Sequence, residues 1–499
     1  MVRILVFSSA VFLFIFLPLV YVLFLILPGI KAKNFMLMLA SLLFYAFGEP
    51  MAIVLMLVSV AVNYFFGVGI SKSTSDKTSK LLLVLAVTVN IGMLGVFKYT
   101  DFAVDLLNTV SSGSLPHVNI RLPIGISFFT FQALSYVIDV YKDRQRVQKN
   151  FFSLLLFVSF FPQLIAGPII KYYDVALQID NRSITLDKTM QGIRRFTVGL
   201  SKKLLIANAM GFAADGIFAL GRDSLGTPNA WLGAVAYVFQ IYFDFSAYSD
   251  MAIGLGKMFG FEFKENFNYP YAARSIKDFW RRWHISLSAW FKEYLYIPLG
   301  GNRKGKLRTN INKIIVFFFT GLWHGANITF VVWGLFHGLF LMLESFIPVK
   351  EGMKMPRFLR VPVTALQRLY TMLAVTAGFV IFRAETLSDG LYFLSKMFLF
   401  SDFRGFLISL GDDFPEFPYP YIRSFPFSLA AEYFTPLFTV IFIAAVIAAL
   451  PVKNTVERLF RNRAKVYDTV TYVLTFPLLL LCIMNLSSAS YNPFIYFRF

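Results

Sequence analysis

Runs of about 20 apolar residues recur from one end of this 499-residue chain to the other, and this recurrence limits the fold more than any single motif does. Inside hydrocarbon every backbone N–H and C=O must find a partner within the protein. The unbroken runs therefore predict α-helices, since barrel strands would alternate apolar and polar residues over about 10 positions. The expectation is an all-α polytopic integral membrane protein. Candidate spans are 4–27, 34–48, 51–70, 80–98, 122–141, 151–170, 191–218 (weaker and more amphipathic), 228–259, 311–322, 327–347, 362–384, 431–450 and 467–488. They predict about 10–12 spanning helices, with the remaining pieces re-entrant or lying in the interface. No A-x-A-like site follows the first run, so it reads as an anchor rather than a cleaved signal. Neither a fixed-period repeat nor a low-complexity linker divides the chain. It reads as one membrane domain over 1–499, with its densest motifs in about 120–347.

A net charge of +19 would suggest nucleic acid in a soluble protein. Here 57% of residues are hydrophobic and only 15% are charged, and the cations sit in short loops, so nucleic-acid binding is excluded. Loop 301–313 carries Arg303, Lys304, Lys306, Arg308 and Lys313 without an acid. Loops 350–360 and 453–465 are also strongly basic. All three read as cytoplasmic. That leaves loop 401–429, acidic and aromatic, on the outer face with the C-terminus, where it suits a polar acceptor or a partner. The single cysteine, Cys482, allows neither an intrachain disulfide nor a thiolate metal cage, and no metal site is expected.

Three of the four histidines, His284, His324 and His337, lie within 273–347. Histidine is the side chain best suited to proton transfer near neutral pH. His324 sits in Gly321-Leu-Trp-His-Gly-Ala-Asn327, small surroundings that allow two substrates to approach. It reads either as a base or as a hydrogen-bonded core residue. Trp323 is a candidate to line a tunnel, and Asn327 to orient the imidazole or donate to an oxyanion. His284 follows Phe279-Trp-Arg-Arg-Trp283. One reading is a surface helix whose Arg281, Arg282 and Lys292 meet lipid phosphates. His337 follows His324 by thirteen residues, about 220° around one helix, which argues against a shared metal and for helix packing. Among polar residues inside apolar runs, Gln163, Asp139, Asp244 and Asp250 stand out. Asp244 and Asp250 lie about 240° apart on a helix and do not form a pair on one face. Satisfied interhelical hydrogen bonds are the plain reading of all three acids.

The stretches 122–132, 161–168, 242–251, 278–297, 321–327, 333–338 and 492–497 together resemble the membrane-bound O-acyltransferase superfamily, most closely its bacterial alginate O-acetylation branch. Teichoic-acid D-alanylation and peptidoglycan O-acetylation proteins share that branch. The pairing of Phe-Trp-Arg-Arg-Trp-His with Leu-Trp-His-Gly carries the resemblance. It implies a helical bundle around a central funnel or tunnel in a bacterial inner membrane. The family's essential histidine falls on His324 and a second recurrent polar residue on His284, with Asp244, Gln163, Arg281 and Arg282 as further donor-site or tunnel candidates. No permanently bound cofactor is implied. The co-substrate is a cytoplasmic thioester, acetyl-CoA or an acyl-carrier protein, and the acyl group passes outward to a polysaccharide, often through an SGNH-type partner. Acyl transfer of this kind needs a base for the hydroxyl and a donor for the oxyanion. D-alanyl transfer to teichoic acid, peptidoglycan O-acetylation, and polysaccharide or lipid transport are the competing functions. Against transport stand the missing repeat and the missing ATP-binding motif.

Overall fold

The structure, a computed structural model, describes residues 5–111, 113–346, 356–399, 433, 435–488, 491–493 and 495. Among these the chain is helical throughout, without a strand, as the apolar runs require. The outer loop expected at 401–429 lies outside the described residues.

The N-terminal half contains α1 (Phe12–Ile26), α2 (Gly29–Gly48), α3 (Ala52–Lys72), α4 (Asp76–Ser111) and α5 (Ile126–Lys142). α4 is 36 residues long, where the sequence suggested a span ending at Lys98. No glycine or proline follows Lys98 until Gly113, so nothing stops the helix there. α5 starts at Ile126 rather than 122, because Pro123 and the left-handed Gly125 (φ +79°) form the turn before it.

The span expected at 151–170 is not one helix. α6 (Phe151–Ser159) breaks at Phe160, and Pro162 opens the four-residue α7 (Phe161–Leu164). Gly167 (φ +107°) and Pro168 then carry an irregular strand of chain to α8 (Tyr172–Asp180). α9 (Leu186–Ser201) continues through a π-helical turn at Lys202–Ala207 into α10 (Asn208–Phe218). α11 (Thr227–Met258) is buried along nearly its whole length and packs on α9, α10 and the π turn. It is the central post of the molecule, and two hydrophobic cores meet on it.

Next come α12 (Ile276–Arg282) and α13 (Ile285–Phe291), short helices separated by a break. α14 (Gly305–His324) begins inside the loop that the sequence marked as basic, and α15 (Ile328–Phe346) packs closely against it. α16 (Arg357–Arg383), α17 (Leu387–Phe398), α18 (Pro436–Ala449), α19 (Val452–Leu459) and α20 (Ala464–Ser488) complete the described fold.

Among the described residues six helices are long and apolar enough to cross a membrane, or seven if α18 and α19, bent by 68°, count as one span. Several other stretches expected to span are broken or shorter than a membrane crossing: α1, α5 and the α6–α8 segment. For α5 and the α6–α8 segment the breaks fall at the Pro and Gly residues just named, and α1 ends just before Pro28.

Candidate active site

α14 ends on His324, and the extended Gly325 turns the chain into α15. A helix end leaves its last carbonyls without intrahelical partners. Here they are claimed from 225 residues away. Lys98 Nζ donates to the carbonyls of Trp323 (2.5 Å) and His324 (3.3 Å) and to Ser127 Oγ (3.3 Å). Tyr99 Oη donates to the Leu322 carbonyl (2.6 Å). A cation at a helix C-terminus is electrostatically favoured as well. The sequence offered only one signal for Lys98, a lone cation at the end of an apolar run, which reads as an interfacial anchor.

Close helix contact fixes the other side. Gly334 of α15 lies against Gly321 of α14, and a Cβ built on Gly334 would stand 3.1 Å from Gly321 Cα. This brings Trp333 to His324, with ring centroids 5.1 Å apart. Trp323 is 5.0 Å and Phe382 5.2 Å from the same imidazole. His324 is buried, yet neither of its nitrogens has a hydrogen-bond partner among the described residues. The indole N–H groups of Trp323 and Trp333 are unpartnered too. Two nitrogens of the imidazole and the two flanking indole N–H groups thus keep hydrogen-bonding capacity that a polar ligand could use. A cavity of about 120 Å³ opens there, lined by Lys98, Gly125, Ser127, Ile165, Trp323 and His324.

A second cavity, about 210 Å³, lies further back along α14. Lys277, Arg281, Lys292 and Lys313 line it, with Phe317 and Thr320 from α14. Lys313, Thr320 and His324 are spaced by seven and four residues and share one helical face. Eleven residues at 1.5 Å rise place His324 about 17 Å beyond Lys313. Two separate cavities thus lie along one face of α14.

His284 is not on a surface helix. It is fully buried at the break between α12 and α13, in left-handed backbone (φ +44°), with its ring centroid 6.4 Å from that of His324. Beside it, the Asn266 carbonyl accepts from Ile285 N–H (2.9 Å). Arg281 does line the basic cavity. Arg282 does not: it pairs with Asp278 (2.8 Å) in its own helix.

Three further sequence candidates are placed away from His324. Asn327 accepts from Thr329 N–H (3.0 Å), capping α15, and donates to the Glu385 carbonyl (2.9 Å), so its amide is spent on the turn rather than on the imidazole. Asp244 pairs with the buried Lys203 (2.7 Å) and accepts from Ile495 N–H (2.8 Å), tying the C-terminal segment into the core. Gln163 donates to the Phe157 carbonyl freed by the break after α6. Asp139 accepts from Tyr294 at Oδ1 (2.9 Å), while its Oδ2 has no hydrogen-bond partner among the described residues; Asp250 is, as expected, satisfied by Arg195 and Lys202 (both 2.6 Å). His337 is packed among Phe279, Trp280 and Trp333, with Trp280 donating to its Nδ1 (3.3 Å).

The family model described as MBOAT, membrane-bound O-acyltransferase family, matches residues 43–382. The chain is 44% identical over 404 residues to a probable alginate O-acetylase of Pseudomonas putida, covering 80% of this chain and 81% of that one. It is 39% identical over 432 residues to a peptidoglycan O-acetyltransferase of Helicobacter pylori, covering 79% and 80%. To a teichoic acid D-alanyltransferase of Bacillus subtilis it is 29% identical over 246 residues, 46% of this chain and 60% of the other. The multi-span helical fold, the paired cavities along α14 and these likenesses agree: the chain belongs to the membrane-bound O-acyltransferase family and is an O-acyltransferase of its alginate O-acetylation branch.

Proposed function

We propose that this protein transfers an acetyl group from a cytoplasmic thioester, acetyl-CoA, to hydroxyls of a cell-surface polysaccharide such as alginate, with His324 as general base. The observation that carries the reading is His324 itself: a buried imidazole with both nitrogens unpaired, lining one cavity at the end of a helix face that also lines a basic one. The charges of Lys277, Arg281, Lys292 and Lys313 suit the phosphates of coenzyme A, and the loop charges put that end of α14 in the cytoplasm. The acyl arm then runs along Phe317 and Thr320 toward His324. The acceptor enters by the cavity at Lys98 and Ser127.

His324 removes the proton of the acceptor hydroxyl as its oxygen attacks the thioester carbonyl. The Trp323 indole N–H, unpaired and lining the same cavity, donates to the developing oxyanion in the role the sequence offered to Asn327. The C–S bond breaks, the thiolate takes the proton from His324, and ester and free thiol leave. A thioester carbonyl is activated enough for this without a metal. His284 assists from beside both Trp323 and His324, with its ring centroid 5.8 Å and 6.4 Å from theirs. The site is in a bacterial cytoplasmic membrane, and the first acceptor is an extracytoplasmic SGNH-type partner or the polymer.

The 39% identity to a peptidoglycan O-acetyltransferase favours peptidoglycan as the second acceptor to test. Expressing His324→Ala in a strain lacking the native gene, and measuring ester-linked acetate on its exopolysaccharide and peptidoglycan, decides between them. Acetate must vanish from one polymer. A folded His324→Ala protein that supports normal acetylation of both would refute the reading.

A further inference from the structure

Building on that reading of the site, we propose that Asn266 is a positioning residue for acyl transfer: it holds His284 in the tautomer protonated on Nδ1, leaving the lone pair on Nε2. Every donor and acceptor needed to fix this is in place. The amide of Asn266 cannot be flipped, because its Oδ1 accepts from the backbone N–H of Ser286 (3.2 Å) while its Nδ2 donates to Ser249 Oγ (3.0 Å). Ser286 Oγ also donates to Asn266 Oδ1 (2.8 Å), and itself accepts from the backbone N–H of Ile169 (2.9 Å). The hydroxyl proton of Ser286 is therefore used. His284 Nδ1 faces Asn266 Oδ1 at 3.3 Å and Ser286 Oγ at 3.5 Å. The first is an acceptor only, and the second has only lone pairs left to offer, so Nδ1 must carry the hydrogen.

The backbone supports the same conclusion. Ile285 N–H donates to the Asn266 carbonyl (2.9 Å) and Asn268 N–H to the Arg282 carbonyl (2.9 Å), so 266–268 runs alongside the α12–α13 break and braces it. His284 is held in left-handed backbone (φ +44°), which is unfavourable for a non-glycine residue and persists only where the surroundings impose it. The imidazole is turned so that Phe245 (4.6 Å), Trp323 (5.8 Å) and His324 (6.4 Å) surround it. An Nε2 lone pair suits a group that accepts a proton or hydrogen bond from the reacting centre, and rules out neutral His284 as a proton donor through Nε2.

The test uses the full-length protein in lipid nanodiscs, labelled with ¹⁵N-imidazole histidine. With four histidines, a His284→Gln difference spectrum assigns the His284 signals. The wild type must show Nδ1 protonated and Nε2 bare. Asn266→Leu, similar in size but without an acceptor, must lose that signature and lower kcat about 10–100-fold, the usual cost of removing a histidine's orienting partner, with KM for acetyl-CoA little changed. Asn266→Asp keeps the acceptor and must restore the signature and most of kcat. An Nε2-protonated wild type, or an Asn266→Leu protein with the wild-type tautomer and kcat, overturns the proposal. So does wild-type turnover by His284→Gln. Loss of the underlying site reading would show differently, as transfer that survives His324→Ala.

Discussion

Gly334→Ala tests how tightly α14 and α15 set the position of His324. The added methyl would overlap the Phe317 carbonyl and stand 3.1 Å from both Cα and N of Gly321. All of these are backbone atoms on helices, so no side chain can swing aside. Ordinary carbon–carbon contact is about 3.5–4.0 Å, and the Phe317 carbonyl oxygen is overlapped more deeply than the Gly321 atoms, so α15 must withdraw by about 1 Å. Overpacking of this kind costs about 1–3 kcal/mol. The same shift moves Trp333, the residue beside Gly334, away from His324. A misplacement near 1 Å costs about 100-fold in rate. The assay pairs thermal unfolding in detergent with acyl transfer. Gly338→Ala, four residues on, is the control: its methyl would meet Ile314 Cδ1 (3.1 Å), the end of a side chain that can rotate away, and Phe317 Cβ (3.2 Å), only a few tenths of an ångström short of ordinary contact. The expected result is a lowered midpoint and about 100-fold less transfer for Gly334→Ala, with a small effect for Gly338→Ala. Equal behaviour of the two variants would refute the argument that this helix crossing sets the site.

Lys98→Met strips two carbonyls at the end of α14 of a charged donor and should lower kcat at least about tenfold while the protein stays folded; unchanged kcat would show that the helix end needs no clamp. Arg281→Gln combined with Lys292→Gln should raise KM for acetyl-CoA about tenfold with kcat near wild type, measured at low and high salt. An unchanged KM would remove the basic cavity from the donor path. Lys203→Met leaves Asp244 buried without its cation and should destabilise the fold by about 3–5 kcal/mol. Adding Asp244→Leu should recover part of that, and full stability of Lys203→Met alone would argue against a buried ion pair.

Features set by local chemistry were legible before the structure. The helical class follows from unbroken apolar runs, and the turn near His324 from the gap between the spans at 311–322 and 327–347. His337 is packed among aromatic rings, but the angular argument does not explain it, because the break at Gly325 puts His324 and His337 on separate helices. What escaped was long-range. Lys98 reaches His324 across 226 residues, and nothing in its own neighbourhood distinguishes it from a span-flanking cation. His284 is buried among residues distant in sequence, with Phe245, Asn266 and Trp323 around it, while the Arg and Trp residues beside it resemble an interfacial helix. Asp244 and Gln163 were rightly singled out as polar groups in apolar runs, but their partners, Lys203 and the Phe157 carbonyl, make them structural. Asn327 is near His324 in sequence, yet capping α15 turns its amide elsewhere.

The central claim is that this chain cleaves a thioester with His324. Purified wild-type and His324→Ala proteins, each confirmed as folded, are given radiolabelled acetyl-CoA in nanodiscs, and free thiol and labelled acetyl are followed. The account predicts turnover by the wild type and its loss in His324→Ala. Equal turnover by both proteins would show that His324 is a packing residue and would contradict the account.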